Sequence, residues 1–131
     1  MLTYNFYTLM YKKESFIKFL NNHLIMKSIF LEHVGYSPRM KVMQYLIEGR
    51  DFDYSLTDML NADVSWGTLN TIIPKMLNLC IIIKTRKIGR ATLYKINENN
   101  IVSKQLIGLY DDLIREQFNQ FDKKMKLKVK L

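Results

Sequence analysis

The hydrophobic period of this chain changes abruptly at one point, and that change limits the folds open to it. Residues 66–79, "WGTLNTIIPKMLNL", place Leu69, Ile72, Ile73, Met76 and Leu77 on one face at helical spacing. The next residues, "IIIKTRKIGRATLYKIN" (81–97), are rich in β-branched side chains and alternate with period two on either side of a single glycine. A helix running straight into a hairpin, with "DFDY" (51–54) as the one further strand candidate, predicts a mainly α fold with a small β-hairpin, α+β overall. Gly89-Arg90 suits a two-residue turn, because glycine at the first central position fits type II′. That turn pairs Ile88 with Ala91, Arg86 with Leu93, and Lys84 with Lys95 on the outward side. Ile83, Ile96, Thr85 and Tyr94 would then point inward.

The remaining elements read as helices. Residues 14–34 carry Phe16, Leu20, Leu24, Leu31 and Val34 at helical spacing, with Gly35 as a stop. Ser37 is an N-cap and Pro38 suits the first position of a second helix, whose stripe is Val42, Met43, Leu46 and Ile47 and whose end is Gly49. Ser55, with Asp58 three residues on, opens a short helix in capping-box fashion, with Leu56, Met59 and Leu60 facing inward. Ser65 caps the helix that precedes the hairpin. Pro74 inside that helix removes the bond to the carbonyl of Asn70 and is expected to kink it or weaken its first turns. Asn99 or Asn100 caps a last helix over about 101–125. There Val102, Leu106, Leu109 and Leu113 repeat as a seam, which then shifts to Ile114, Phe118, Phe121 and Met125. The end, "KKMKLKVKL", is expected to fray.

Composition narrows the function. The 131 residues suit one domain with extensions. The lone Cys80 rules out an internal disulfide and fits a reducing compartment; its apolar surroundings favour a buried structural thiol. No stretch approaches 18 apolar residues, so no membrane span or membrane partner is expected. "MLTYNFYTLM" lacks the features of a signal peptide, and the cytoplasm, with the nucleoid, is the expected location. His23 and His33, with Glu32 beside them, fall short of a metal set of three or four ligands, and neither metal nor cofactor is expected. No nucleophile–base pairing, P-loop or dinucleotide glycine pattern occurs, which argues against an enzyme. The net charge of +8 is unevenly spread. Residues 64–97 hold six cations and no acid, and residues 123–131 hold five lysines and no acid. Such concentration is the footprint of a polyanion partner.

The order helix, short strand, helix, helix, strand, strand is that of a winged helix-turn-helix. The helix after Ser65 fits the major groove, where Ser65, Thr68, Asn70 and Thr71 would read bases. The starts of the helices after Ser55 and Ser65 offer N–H groups to phosphate. Lys75 and the wing (81–97), with Lys84, Arg86, Lys87 and Arg90, would hold the flanking backbone, or the wing would enter the minor groove. Trp66 lies at the edge of the apolar face, which favours packing against the preceding helix over a contact with DNA.

Three stretches, "LEHVGYSPRMKVMQYLIEGRDFDYSLTDML", "VSWGTLNTIIPKMLNL" and "TRKIGRATLYKIN", together resemble archaeal winged helix-turn-helix transcriptional regulators. The resemblance covers about residues 30–115. It implies a DNA-binding regulator, usually dimeric, with the helix after Ser65 as recognition helix and Gly89-Arg90 at the wing tip. The chain departs from that pattern at Cys80, where the family has glycine; cysteine there implies a different cap or strain. The expected organisation is an N-terminal helical extension (1–36), the winged helix-turn-helix (37–97), and a dimerisation helix with a basic tail (98–131). Leu20, Leu24, Val102, Leu106, Leu109, Leu113 and Phe118 are the expected homodimer contacts. Sequence-specific binding of double-stranded DNA is the first reading. A non-specific architectural DNA-binding protein and a winged-helix protein-interaction module are the alternatives. A small-molecule effector is possible on composition alone, since the aromatic and methionine-rich N-terminus would more often serve as core or interface.

Overall fold

The computed structural model describes residues 28–129. These residues are mostly helical and include one two-stranded antiparallel hairpin. Residues 30–112 form one compact unit, and the described residues on either side of it belong to a second.

Helix α1 spans Ile29–Val34 and buries Phe30 and Leu31. It ends at Gly35, whose φ of +94° only glycine adopts at little cost and whose N–H donates to the Leu31 carbonyl at 2.8 Å. Ser28 is not helical, so the helix expected over 14–34 does not run unbroken into α1. Its earlier part, with Leu20, His23 and Leu24, lies outside the described residues.

Helix α2 spans Pro38–Glu48, and the Ser37 hydroxyl accepts the Met40 N–H at 3.2 Å. Val42, Met43, Leu46 and Ile47 are all buried, as the periodicity predicts. Gly49 follows at an ordinary φ of −106°. Glycine is required there by crowding: a Cβ would collide with the phenol of Tyr54, which itself packs edge-on against Tyr45 at 5.0 Å. The "DFDY" segment forms a single bridge rather than a strand. Tyr54 and Tyr94 exchange both backbone hydrogen bonds, at 2.7 and 2.8 Å.

Helix α3 (Leu56–Met59) starts with the full capping box of Ser55 and Asp58. It passes into a 3₁₀ turn, Leu60–Ala62. The tighter winding turns Leu60 outward, against expectation, while Met59 stays fully buried. Helix α4, Trp66–Asn78, is capped by Ser65 and buries Leu69, Ile73 and Met76. It runs without a break through Pro74, which sits on the exposed side, where water can satisfy the Asn70 carbonyl.

Strands β1 (Ile82–Ile88) and β2 (Ala91–Ile96) turn at Gly89, φ +61°, and Arg90. The expected register holds from Ile88–Ala91 to Arg86–Leu93 and then fails. A bulge at Thr85 shifts the pairing by one residue, so Lys84 faces Tyr94 and Ile83 faces Lys95. The expected Lys84–Lys95 opposition therefore does not occur. Ile82 takes the buried position, and Ile83 stands 42% exposed. The core of the 30–112 unit joins α2, α3, α4 and the hairpin through Met43, Leu46, Ile47, Met59, Leu69, Met76, Ile82 and Ile96, each almost wholly buried. Each such side chain stabilises the fold by about 1.5–3 kcal/mol relative to exposure.

Helix α5 spans Ile101–Val129, with the Asn100 carboxamide oxygen accepting from the Val102 and Ser103 N–H groups. It continues beyond the expected fraying point. Lys126 and Lys128 suit the negative end of the helix, and Lys126 pairs with Asp122 at 3.3 Å. Within the 30–112 unit its first turns are pinned by polar contacts. The buried Ser103 hydroxyl donates to the Ile81 carbonyl at 3.0 Å, Tyr110 donates to Glu48 at 3.1 Å, and Arg50 binds Asp111 at 2.7 Å. Burial is the main force raising the Tyr110 phenol's pKa. Ser103, Gln117 and Phe121 mark the buried side of α5. Val102, Leu109 and Phe118 of the expected seam are exposed, and Leu106 and Leu113 are half-buried. Phe118 is nine residues beyond Leu109, two and a half turns on, so the two lie on opposite sides of the helix.

Candidate nucleic-acid interface

Helix α4 presents Gly67, Asn70, Thr71, Pro74, Lys75 and Asn78 to solvent. Their spacing of 3, 1, 3, 1 and 3 residues makes one face, opposite the buried Leu69, Ile73 and Met76. Asn70 donates its amide to the Trp66 carbonyl at 3.0 Å and Thr71 its hydroxyl to the Gly67 carbonyl at 3.1 Å. Both keep an acceptor oxygen free for a base edge. Ser65 and Thr68 are placed differently. The Ser65 hydroxyl accepts the Thr68 N–H at 3.2 Å and pairs with the Thr68 hydroxyl at 2.8 Å, so both side chains are committed to starting the helix. Gly67 and Pro74 were missed as face residues because they carry no polar group. The helical period alone places them there, and open space surrounds the Cα of Gly67.

Trp66 is half exposed rather than packed away. It lines a cleft of about 400 Å³ with Ser55, Leu56, Thr57, Arg90, Ala91, Thr92 and Tyr94. Three residues singled out in sequence, Ser55, Trp66 and Arg90, thus meet in one place, where the start of α4 faces the wing tip. The Ser55 hydroxyl accepts the Asp58 N–H, and the Asp58 carboxylate accepts the Ser55 N–H. The start of α3 is therefore largely satisfied within the chain, with an acid beside it, which makes it a poorer phosphate site than its sequence suggests.

The hairpin divides its cations. Lys84, Lys87 and Arg90 are exposed and form no ion pair among the described residues. Arg86 does form one. Its Nε donates to Asp53 Oδ2 at 2.9 Å and its Nη2 to Oδ1 at 3.2 Å, a two-pronged grip on one carboxylate. Thr85 adds its hydroxyl to Oδ2 at 2.6 Å. These hydrogen bonds pull the Asp53 carboxyl down to about 2 from its ordinary 3.8, and the same pair raises the Arg86 pKa. Asp53 was invisible in sequence because its partners lie more than 30 residues away. The one available signal was an acid placed just before the tyrosine that bridges to the hairpin.

Cys80 closes α4. Its N–H donates to the Leu77 carbonyl at 3.0 Å and that of Ile81 to the Met76 carbonyl at 3.1 Å, the bonding of a Schellman cap. Its φ of +58° is the left-handed conformation that favours glycine, so the strain expected at this position is present. The thiol is exposed, not buried, because the cap turns the chain at the surface. Among the described residues no group of three His, Cys, Asp or Glu is arranged to hold a metal, and no helix is long and apolar enough to cross a membrane.

No protein-family model matches the chain, and no curated protein matches it significantly. Solved structures do. NadR in complex with 4-hydroxyphenylacetate shares 12% sequence identity, with 99% of this chain and 93% of that chain covered and a TM-score of 0.53. The chain has a winged-helix fold. Sso10a-2, a DNA-binding protein from Sulfolobus solfataricus, is similar over 70% of this chain and 94% of its own, at 15% identity and a TM-score of 0.43.

Proposed function

We propose that this protein is a DNA-binding regulator that recognises specific sites in double-stranded DNA. The observation that carries the reading is the meeting at one cleft of Trp66, at the start of α4, and Arg90, at the wing tip, together with an exposed polar face on α4 and a wing whose exposed Lys84, Lys87 and Arg90 form no ion pair among the described residues. Helix α4 lies in the major groove, with Asn70 and Thr71 reading base edges and Lys75 on a phosphate. Ser65 and Thr68 fix the helix start. The wing holds the flanking backbone, with Arg90 and Trp66 on either side of the cleft. The protein acts as a homodimer in the cytoplasm, and the exposed Val102 and Leu109, one heptad apart, meet a second copy. Its chemistry is binding, not catalysis.

Selection of bound fragments from a random duplex pool, followed by competition with unrelated DNA, tests the reading. A preferred site should win by roughly 10³ or more at physiological salt. A flat preference supports the architectural alternative, which the lysine-rich end of α5 favours. Absence of binding to any duplex at about 50 mM salt, where phosphate contacts are strong, would leave a protein-interaction module.

A further inference from the structure

The bulge in β1 falls beside an acid from another part of the chain, and the pairing is too specific to be a surface accident. Tyr54 is fastened to Tyr94 by two backbone hydrogen bonds, which fixes its neighbour Asp53 against the hairpin. The Asp53 side chain is only 17% exposed although Arg86 is 63% exposed. Its two oxygens take three hydrogen bonds, all from Thr85 and Arg86, the bulged residue and the one after it. The same hydroxyl of Thr85 lies 3.3 Å from the Leu93 carbonyl, so its one proton, held chiefly by Asp53, is shared weakly with the opposite strand. A bulge bends and twists the strand beyond it. Beyond this one lie Lys87 and Arg90. The direction in which the wing tip points is therefore set where Asp53 grips.

We propose that Asp53 is a positioning residue: it locks the Thr85 bulge, aims the wing tip at the DNA backbone, and keeps Arg86 as a strut rather than a phosphate contact. The inference rests on the DNA-binding reading above. It assigns to an acid a role that charge counting on a basic surface would never give it. A carboxylate near a phosphate backbone repels it, and removing that charge should tighten binding if nothing else changed. The strut has the opposite consequence.

The test uses the full chain and a labelled duplex followed by fluorescence anisotropy across a salt series. Asp53→Asn should weaken binding by roughly three- to tenfold, the equivalent of losing one exposed charge-assisted pair, despite the loss of a negative charge. Thr85→Val, which changes no charge, should weaken it in the same direction. Arg86→Ala should weaken it by a similar factor and with a similar change of salt slope to Asp53→Asn, and the double variant should bind no more weakly than either, because strut and lock act through the same wing-tip contacts. Amide shifts of residues 87–91 should move in each variant while those of α4 stay in place, which also shows that the domain remains folded. The proposal is overturned if Asp53→Asn tightens binding, or if Arg86→Ala takes about one unit off the slope while Asp53→Asn takes none, as a phosphate contact made by Arg86 itself would. A wild-type protein that binds no duplex removes the DNA reading itself, a result distinct from either of these.

Discussion

Along α4 the exposed face carries a single charge, Lys75, and the short side chains of Asn70 and Thr71 fold back onto the helix's own carbonyls. Along the hairpin, Lys84, Lys87 and Arg90 are exposed and form no ion pair among the described residues, Lys95 is half-buried, and Arg86 is held by Asp53. Trp66 at the start of the one and Arg90 at the tip of the other line one cleft, but the chemistry of the two regions separates two tasks. Short amide and hydroxyl groups on a rigid helix discriminate between bases and add little electrostatic attraction. Lysine and arginine on a hairpin supply attraction that is strong, salt-dependent and indifferent to sequence. The division predicts that affinity and specificity come apart under mutation.

The largest expected effect is on the wing. Replacing Lys84, Lys87 and Arg90 together by alanine should reduce the salt slope of binding by roughly 2.7 units and weaken binding to all sequences alike. A loss confined to one sequence would erase the contrast. Next comes Asn70→Ala, expected to cost about 1–3 kcal/mol of discrimination at one base pair, with the slope unchanged. Competition against single-base variants of the site checks it. Smaller again, and on stability alone, Cys80→Gly should stabilise the domain by about 0.5–1 kcal/mol, since glycine relieves the left-handed strain at the α4 cap but adds freedom to the unfolded chain. Thermal unfolding reads this directly. The smallest effect concerns acid. The Asp53 carboxyl titrates near 2 when folded and 3.8 otherwise, so its contribution is intact above about pH 4 and is lost as pH falls towards 2. Hairpin amide shifts should follow that low transition, and this pair should leave binding between pH 5 and 8 unaltered.

The architecture was legible because it rests on local rules. Ser37, Ser55, Ser65 and Asn100 cap as their types require, and Gly89 turns the hairpin where a positive φ is needed. The face of α4 followed from its period. What escaped depended on partners distant in sequence. The Thr85 bulge, and with it the fate of Lys84, Ile83 and Arg86, follows from Asp53, which no alternation pattern contains. Trp66 sat at the edge of an apolar face, and period alone could not say on which side it would fall. Ser65 and Thr68 had the right side chains for base reading, but capping, the stronger local demand, took both hydroxyls.

The most direct test is an NMR titration of the isotope-labelled protein with the selected duplex, read as amide shift changes along the chain. Changes concentrated at Gly67, Asn70, Thr71 and Lys75 and at residues 87–91, with Val42, Leu46 and the rest of the α2 core unmoved, are the predicted result. Changes confined to α5, or no change on α4 at saturating duplex, would contradict the account.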